Sequence, residues 1–277
     1  MLKKIALALF LLCCVALPAF AQDKESAFER VIRTGTIRCG YALWYPELSK
    51  DPNTGALSGY DYDVVNAIGD ILGLTVEWTE ETGWGTVQEG LKSKRYDMAC
   101  NGYWGPPSRT KVVLLSRPFV FHPLYVVVGK HVKVPQQKGF DWLNDKTYKM
   151  AILRGTIGDL VAKMNFPNAQ TLDAAELSSD GNVLMDIASG KADFSFSNYT
   201  PVERFLAQNT GGVKRLEPSI GVAGGTLLLP ADDFRMKHMV DSALAYLIDS
   251  GRIGIIMQKY MGNDKRAWLS PALSYQQ

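Results

Sequence analysis

Histidine is scarce in this 277-residue chain: it occurs only at 122, 131 and 238. None of the three stands in metal-ligand spacing or in a nucleophile motif, which leaves little for metal-assisted or triad chemistry. His122, next to Pro123 at a strand entry, reads as structural. A surplus of one charge is also missing, with 30 basic against 28 acidic side chains. A nucleic-acid partner would call for a basic face, so that class is set aside. Long apolar runs are confined to Ile5–Leu17, which is short for a membrane span. With Lys3 and Lys4 before it and Ala19-Phe20-Ala21 after it, that run reads as a secretory signal peptide over residues 1–21. The mature chain would start at Gln22 and be exported and soluble. Removing the two lysines leaves 28 basic against 28 acidic side chains. Of four cysteines, Cys13 and Cys14 lie in the leader. Cys39 and Cys100 remain, each ending a predicted strand. Export permits a disulfide between them, and two separate core thiols is the other reading. No cofactor motif is present.

What is there is globular: 47% hydrophobic and 21% charged residues. Strands are expected at 36–40, 74–78, 96–100, 124–128, 149–153, 192–197 and 224–230. Helices are expected between them. One runs from Gly59-Tyr60-Asp61-Tyr62-Asp63 to Leu72, with Val64, Ala67, Ile68, Ile71 and Leu72 on one face and Gly73 as its stop. Asp61 and Asp63 read as N-terminal capping residues. Others cover Val87 and Leu91, a stretch reaching Met164, 182–189, 200–208, 234–250 and 254–260. The alternation implies a mostly parallel sheet with right-handed crossovers.

The plan occurs twice. In each half a strand runs into a Gly-rich turn and a helix N-terminus, where free N–H groups favour an anion. Two such lobes would face each other across a cleft, joined by crossings near Gly129 and Gly224. In the first half the stretch is Asn101-Gly102-Tyr103-Trp104-Gly105-Pro106-Pro107-Ser108-Arg109, read as a stiff turn followed by a short helix over 108–115. Ligands of open α/β sheets bind outside the carboxyl ends of strands. Arg109 there offers a planar fork for a carboxylate or phosphate.

The ordered set Gly40 through Tyr45-Pro46, Gly59-Tyr60-Asp61-Tyr62-Asp63, Gly83-Trp84, Tyr96-Asp97 through Gly102, Pro107-Ser108-Arg109, Gly155-Thr156 and Ser189-Gly190-Lys191-Ala192-Asp193 resembles the extracellular solute-binding proteins of family 3. These are the periplasmic amino-acid-binding components of ABC transporters. The resemblance runs from about Phe28 to Gly262. It implies an α/β, two-lobed type II periplasmic-binding-protein fold, with two mostly parallel sheets flanked by helices and two hinge crossings. Lobe 1 would be 22–128, lobe 2 129–224, and 225–277 would return to lobe 1. It also implies a monomer in the periplasm that binds a small carboxylate, closes on it, and delivers it to a permease.

By the same resemblance, Arg109 grips the ligand α-carboxylate, helped by Gly155, Thr156 and the amide of Ile157. Tyr45 and Trp84 flank the ligand side chain, and Asn101 and Gly102 meet its amine. Tyr103 and Trp104 add flat apolar surface. Asn198 stands where the family usually has an ammonium-pairing aspartate, Trp104 where it has Ser or Thr, and Ala42 where binders of basic amino acids carry an aspartate. These departures favour a carboxylate ligand over an ordinary zwitterion and disfavour a basic side chain, unless Glu47, Glu80 or Glu81 supplies the missing anion. An exported dehydratase acting on a cyclohexadienyl acid and a stand-alone sensing domain are the alternatives. The first would need a general acid in the cleft. The second would ordinarily be joined to a membrane span, and none follows here.

Overall fold

The structure is a computed structural model that describes residues 25–105, 107–136, 139–153, 157–174, 178–209 and 211–273. The leader, Gly155 and Thr156 lie outside the described residues. The chain opens with helix α1 (Ala27–Thr34), which is closed at its N-terminus by a reciprocal Ser26/Glu29 capping box. Then come β1 (Thr36–Tyr41), the short hairpin β2 (Ser49–Lys50) and β3 (Leu57–Ser58), α2 (Tyr60–Leu72), β4 (Thr75–Glu81), α3 (Val87–Lys92) and β5 (Met98–Trp104). A single 3-10 turn (Pro107–Lys111) leads to β6 (Val113–Leu115) and the ten-residue β7 (Val120–Gly129).

The second half holds β8 (Lys149–Ile152), α4 (Ile157–Asn165), β9 (Gln170–Asp173), α5 (Asp180–Ala188), β10 (Phe194–Asn198), α6 (Tyr199–Gln208) and β11 (Val213–Arg215). The chain returns through β12 (Gly221–Pro230) and ends in α7 (Phe234–Asp249) and α8 (Arg252–Met261).

Two parallel blocks are present, β4-β1-β5 and β10-β8-β9. They are joined into one ten-stranded sheet by the antiparallel strands β12 and β7. The residue pairs Gly221–Leu124 to Gly225–Val120 are where these two strands run side by side.

The core shows where the chain changes halves. Phe119 and Val120 pack with α1, α2, α7 and α8, together with Leu227 and Leu229 from β12. Leu124, Val126 and Val128 pack instead with Met150, Phe166 and Phe194. β7 thus passes from one core to the other between Val120 and Leu124 as one unbroken strand. Val127 faces a further cluster with Val183, Ile187 and Val202. A strand buried on both faces gives the continuous apolar run seen in the sequence.

Two local expectations change. Asn101–Trp104 is strand rather than turn, because β12 pairs with it through Gly225–Trp104 and Thr226–Tyr103. Residues 108–115 do not form a helix: one 3-10 turn ends at Lys111, and Val113–Leu115 pairs with Leu228–Pro230. Cys39 and Cys100, on adjacent strands, form a disulfide with Cα atoms 5.5 Å apart.

Candidate functional site

A cavity of about 130 Å³ lies between the halves, room for several waters or one small organic acid. Its first-half wall is aromatic. Trp44 meets Trp84 edge-on at 5.5 Å, and Trp84 meets Tyr103 at 5.0 Å. The Arg109 guanidinium lies 5.9 Å from the Tyr103 ring centre. Arg109 stands on the 3-10 turn that follows β5, and burial works against its charge, pulling its pKa down. Trp104, the last residue of β5, reaches across and packs on the second half's core. The second-half wall carries the N-terminal turns of α4 and α5 through Gly158 and Asp180, and the end of β10 through Ser197 and Asn198.

Of the residues expected at the site, Trp84, Gly102, Tyr103, Trp104, Arg109 and Asn198 line this cavity. Ile157 opens α4 one residue before Gly158. Tyr45 does not line it. Reciprocal backbone bonds between Trp44 and Leu48 turn Trp44 inward, while Tyr45 is 57% exposed with Arg204 of the second half 4.4 Å above its ring. The flat surface expected from Tyr45 is supplied by its neighbour Trp44. Asn101 is fully buried behind the wall. It bonds the Ala42 backbone in both directions and donates to Asp61. The Gly102 N–H is likewise committed to Asp61 at 2.8 Å.

Asp61 is therefore not a helix cap; α2 has no side-chain cap. It locks α2 to β5, and burial pushes its pKa up to about 7. Asp63 bonds Lys259 and Tyr260 of α8. Of the three spare acids, Glu80 pairs with Arg95 and Glu81 with Lys50. Glu47 alone is on the cavity wall. It is buried and its Oε2 has no hydrogen-bond partner. Burial raises its pKa well above the usual carboxylate range, and the neighbouring Asp61 and Asp180 add to that. Asp180, also raised to about 7 by burial, was not foreseen. As the first residue of a helix after Ser179, it reads in sequence as an ordinary N-terminal acid. Ser197 Oγ is buried on the same wall without a partner.

His122 is fully enclosed, with Tyr60 Oη at 3.1 Å and the Ala267 carbonyl at 3.2 Å. Burial drops its pKa to about 4, so it is neutral and structural, as its sequence context indicated. No group of three or more His, Cys, Asp or Glu among the described residues is placed to hold a metal. No helix among them is long and apolar enough to cross a membrane.

The sequence profile of the bacterial extracellular solute-binding proteins, family 3, matches residues 37–263. The chain belongs to this family. The L-arginine-binding protein of Pseudomonas aeruginosa is 23% identical over 271 residues, which covers 95% of this chain and 98% of that one. The L-cystine-binding protein TcyA of Bacillus subtilis is 25% identical over 283 residues, covering 95% and 99%. Among solved structures, an ancestral amino acid-binding protein described as a precursor of cyclohexadienyl dehydratase superposes with a TM-score of 0.70 at 23% identity. It covers 85% of this chain and 99% of that one. That likeness fixes the fold as the type II two-lobed one. This family member thus has its cavity at the joint between the lobes.

Proposed function

We propose that this solute-binding protein captures a small amino-acid-class carboxylate in the interlobe cavity as a monomer in the periplasm and hands it to an ABC permease. The observation that supports this most is the pairing of Arg109 with an aromatic wall inside a cavity that both lobes enclose. The guanidinium meets the carboxylate, Trp44, Trp84 and Tyr103 cover the ligand body, and the first turns of α4 and α5 add helix N-termini. The lobes hinge where β7 and β12 run side by side, closing on the ligand.

Charge-assisted hydrogen bonds contribute about 1.5–3 kcal/mol each. Two lost from Arg109 are then worth about 3–6 kcal/mol, a hundredfold or more in Kd. Arg109→Ala should abolish calorimetric binding of whichever amino acids raise the wild-type melting temperature, with the unliganded melt unchanged. Equal affinity in the variant would remove Arg109 from the site.

The second reading is an exported dehydratase, favoured by one observation: Glu47 is a buried acid with a raised pKa on the wall of an arginine-bearing cavity. Such a group can donate a proton. Product formation from a cyclohexadienyl acid would establish the enzyme; binding without turnover would keep the carrier.

A further inference from the structure

We infer that Glu47, Tyr60 and His122 form a hydrogen-bonded relay, through which the acid on the cavity wall controls how the C-terminal segment is fastened to the strand that joins the lobes. The relay is a property of the unliganded chain and holds whichever solute the cavity takes. Glu47 lines the cavity and is seated against the start of α2, where its backbone carbonyl accepts the Asp61 N–H at 3.0 Å. Its carboxyl hydrogen-bonds the Tyr60 hydroxyl. Tyr60 Oη is 3.1 Å from His122 Nε2, and His122 Nδ1 is 3.2 Å from the Ala267 carbonyl. Glu47, Tyr60, His122 and Ala267 are all buried. His122 lies on β7, in the stretch where that strand passes from one core to the other. The segment that holds Ala267 clasps the same stretch. Phe121 and Leu269 exchange backbone bonds of 3.0 and 2.7 Å, and Tyr125 Oη donates to the Arg266 carbonyl at 3.2 Å.

Counting protons shows how the relay works. Each link, Glu47 to Tyr60, Tyr60 to His122 and His122 to Ala267, needs one proton. The Ala267 carbonyl only accepts, so His122 Nδ1 carries the imidazole proton. A neutral imidazole then accepts at Nε2, which takes the Tyr60 proton. Tyr60 has none left for Glu47, so Glu47 is the donor, as a protonated acid. Burial of both groups favours this neutral arrangement. When Glu47 loses its proton to solvent, two protons remain for three links. The carboxylate is the strongest acceptor and draws the Tyr60 proton. The polarised Tyr60 oxygen in turn favours the imidazole proton on Nε2. Nδ1 is then bare opposite the Ala267 carbonyl, and the fastening to the C-terminal segment is lost. The titratable groups facing Glu47 are Tyr60 and Asp61 on α2 and Asp180 on α5. Asp61 accepts from Asn101 and Gly102, outside the relay. His122 is faced by Tyr60, by the Ala267 carbonyl, by the Trp104 ring of β5 at 5.8 Å and by Ala223 of β12, none of them charged.

The test uses the unliganded protein, so it stands apart from the choice of solute. Nitrogen-15 NMR of labelled histidine reads which ring nitrogen carries the proton, with His131 and His238 assigned by their own substitutions. Spectra are taken at pH 5 and pH 9 on the wild type, E47Q and Y60F, alongside amide hydrogen exchange at Leu269. In the wild type His122 should be protonated at Nδ1 at pH 5 and at Nε2 at pH 9. Over the same interval the Leu269 amide should lose about two- to tenfold of its protection, the worth of one hydrogen bond, after correction for the intrinsic pH dependence of exchange. The Gln side chain of E47Q keeps a donor for Tyr60, so both signals should stay in their acid form at pH 9. Y60F cuts the relay, and its His122 should not respond to pH. E47Q folds with Asp61 and Asp180 in place, so a change that survives in it belongs to them and overturns the inference. A wild-type His122 with the same protonated nitrogen at both pH values, or a Y60F His122 that still switches, overturns it as well. A switch at His122 with unchanged Leu269 protection overturns the control of the joint.

Discussion

Asp61 and Asp180 carry raised pKa values of about 7, and this fixes the sign of a pH dependence. Both bind protons more tightly folded than unfolded, so the folded state takes up protons between about pH 4 and 7. Their contribution is fully present below the unfolded value and is lost as pH rises through about 7. Glu47, faced by Asp61, Tyr60 and Asp180, acts in the same direction. Asp264, held near 2 by Arg266, is ionised throughout that window and adds no slope. The unliganded protein should therefore melt at a lower temperature at pH 8 than at pH 5, and E47Q or D180N should flatten the trend. A melting curve that rises over that range would contradict the assignment. At this scale the sequence was half legible. Arg109, Trp84 and Trp104 sit beside a strand end, and a strand end can be seen in one dimension. Glu47 and Asp180 acquire their meaning from each other, across a joint that no local pattern marks. Trp44 and Tyr45 are adjacent aromatics, and only the Trp44–Leu48 backbone bonds decide which one faces in.

At the scale of elements, the periodic helices were readable for a physical reason. Of the expected face, Val64, Ala67 and Ile68 are buried and Leu72 is partly so, while Ile71 at the last turn is exposed; Gly73 takes the left-handed conformation that stops α2. Helix α1 went unread although its Ser26-x-x-Glu29 box was in plain view. Strands β2, β3, β9 and β11 have two to four residues each, too few to show a period. Segment 108–115 misled because Val113–Leu115 takes its conformation from β12 rather than from its own pattern. The Cys39–Cys100 bridge ties β1 to β5 over a sequence separation of 61, which the chain-entropy account values at about 4 kcal/mol. Reductant, or Cys39→Ala with Cys100→Ala, should lower the melting temperature by about 8–16 °C for a chain of this size. An unchanged melt would show that the bridge contributes nothing.

For the whole molecule, the two halves also touch outside the cavity lining. Arg204 of the second lobe lies over Tyr45 of the first. An exposed cation–π contact is worth about 0.5–1 kcal/mol, so Arg204→Ala should weaken ligand binding about two- to fivefold. The change should appear as faster release in stopped-flow tryptophan fluorescence; an unaltered release rate would exclude a latch. The crossing strands also set an order of assembly. The first lobe's core draws on Val31, Ile37 and Val120 and again on Leu227, Val240 and Trp268. Roughly a hundred residues of the second lobe are synthesised between those two contributions, which at ordinary elongation rates takes about 5–20 s. During that interval the early strands lack β12, which pairs with β5 and β6, and the helices α7 and α8 that complete their cover. The second lobe, whose residues are contiguous, emerges complete before the first does. It is the part able to fold first, and the first lobe's apolar face stays only partly covered, by α1 and α2, until α7 and α8 arrive.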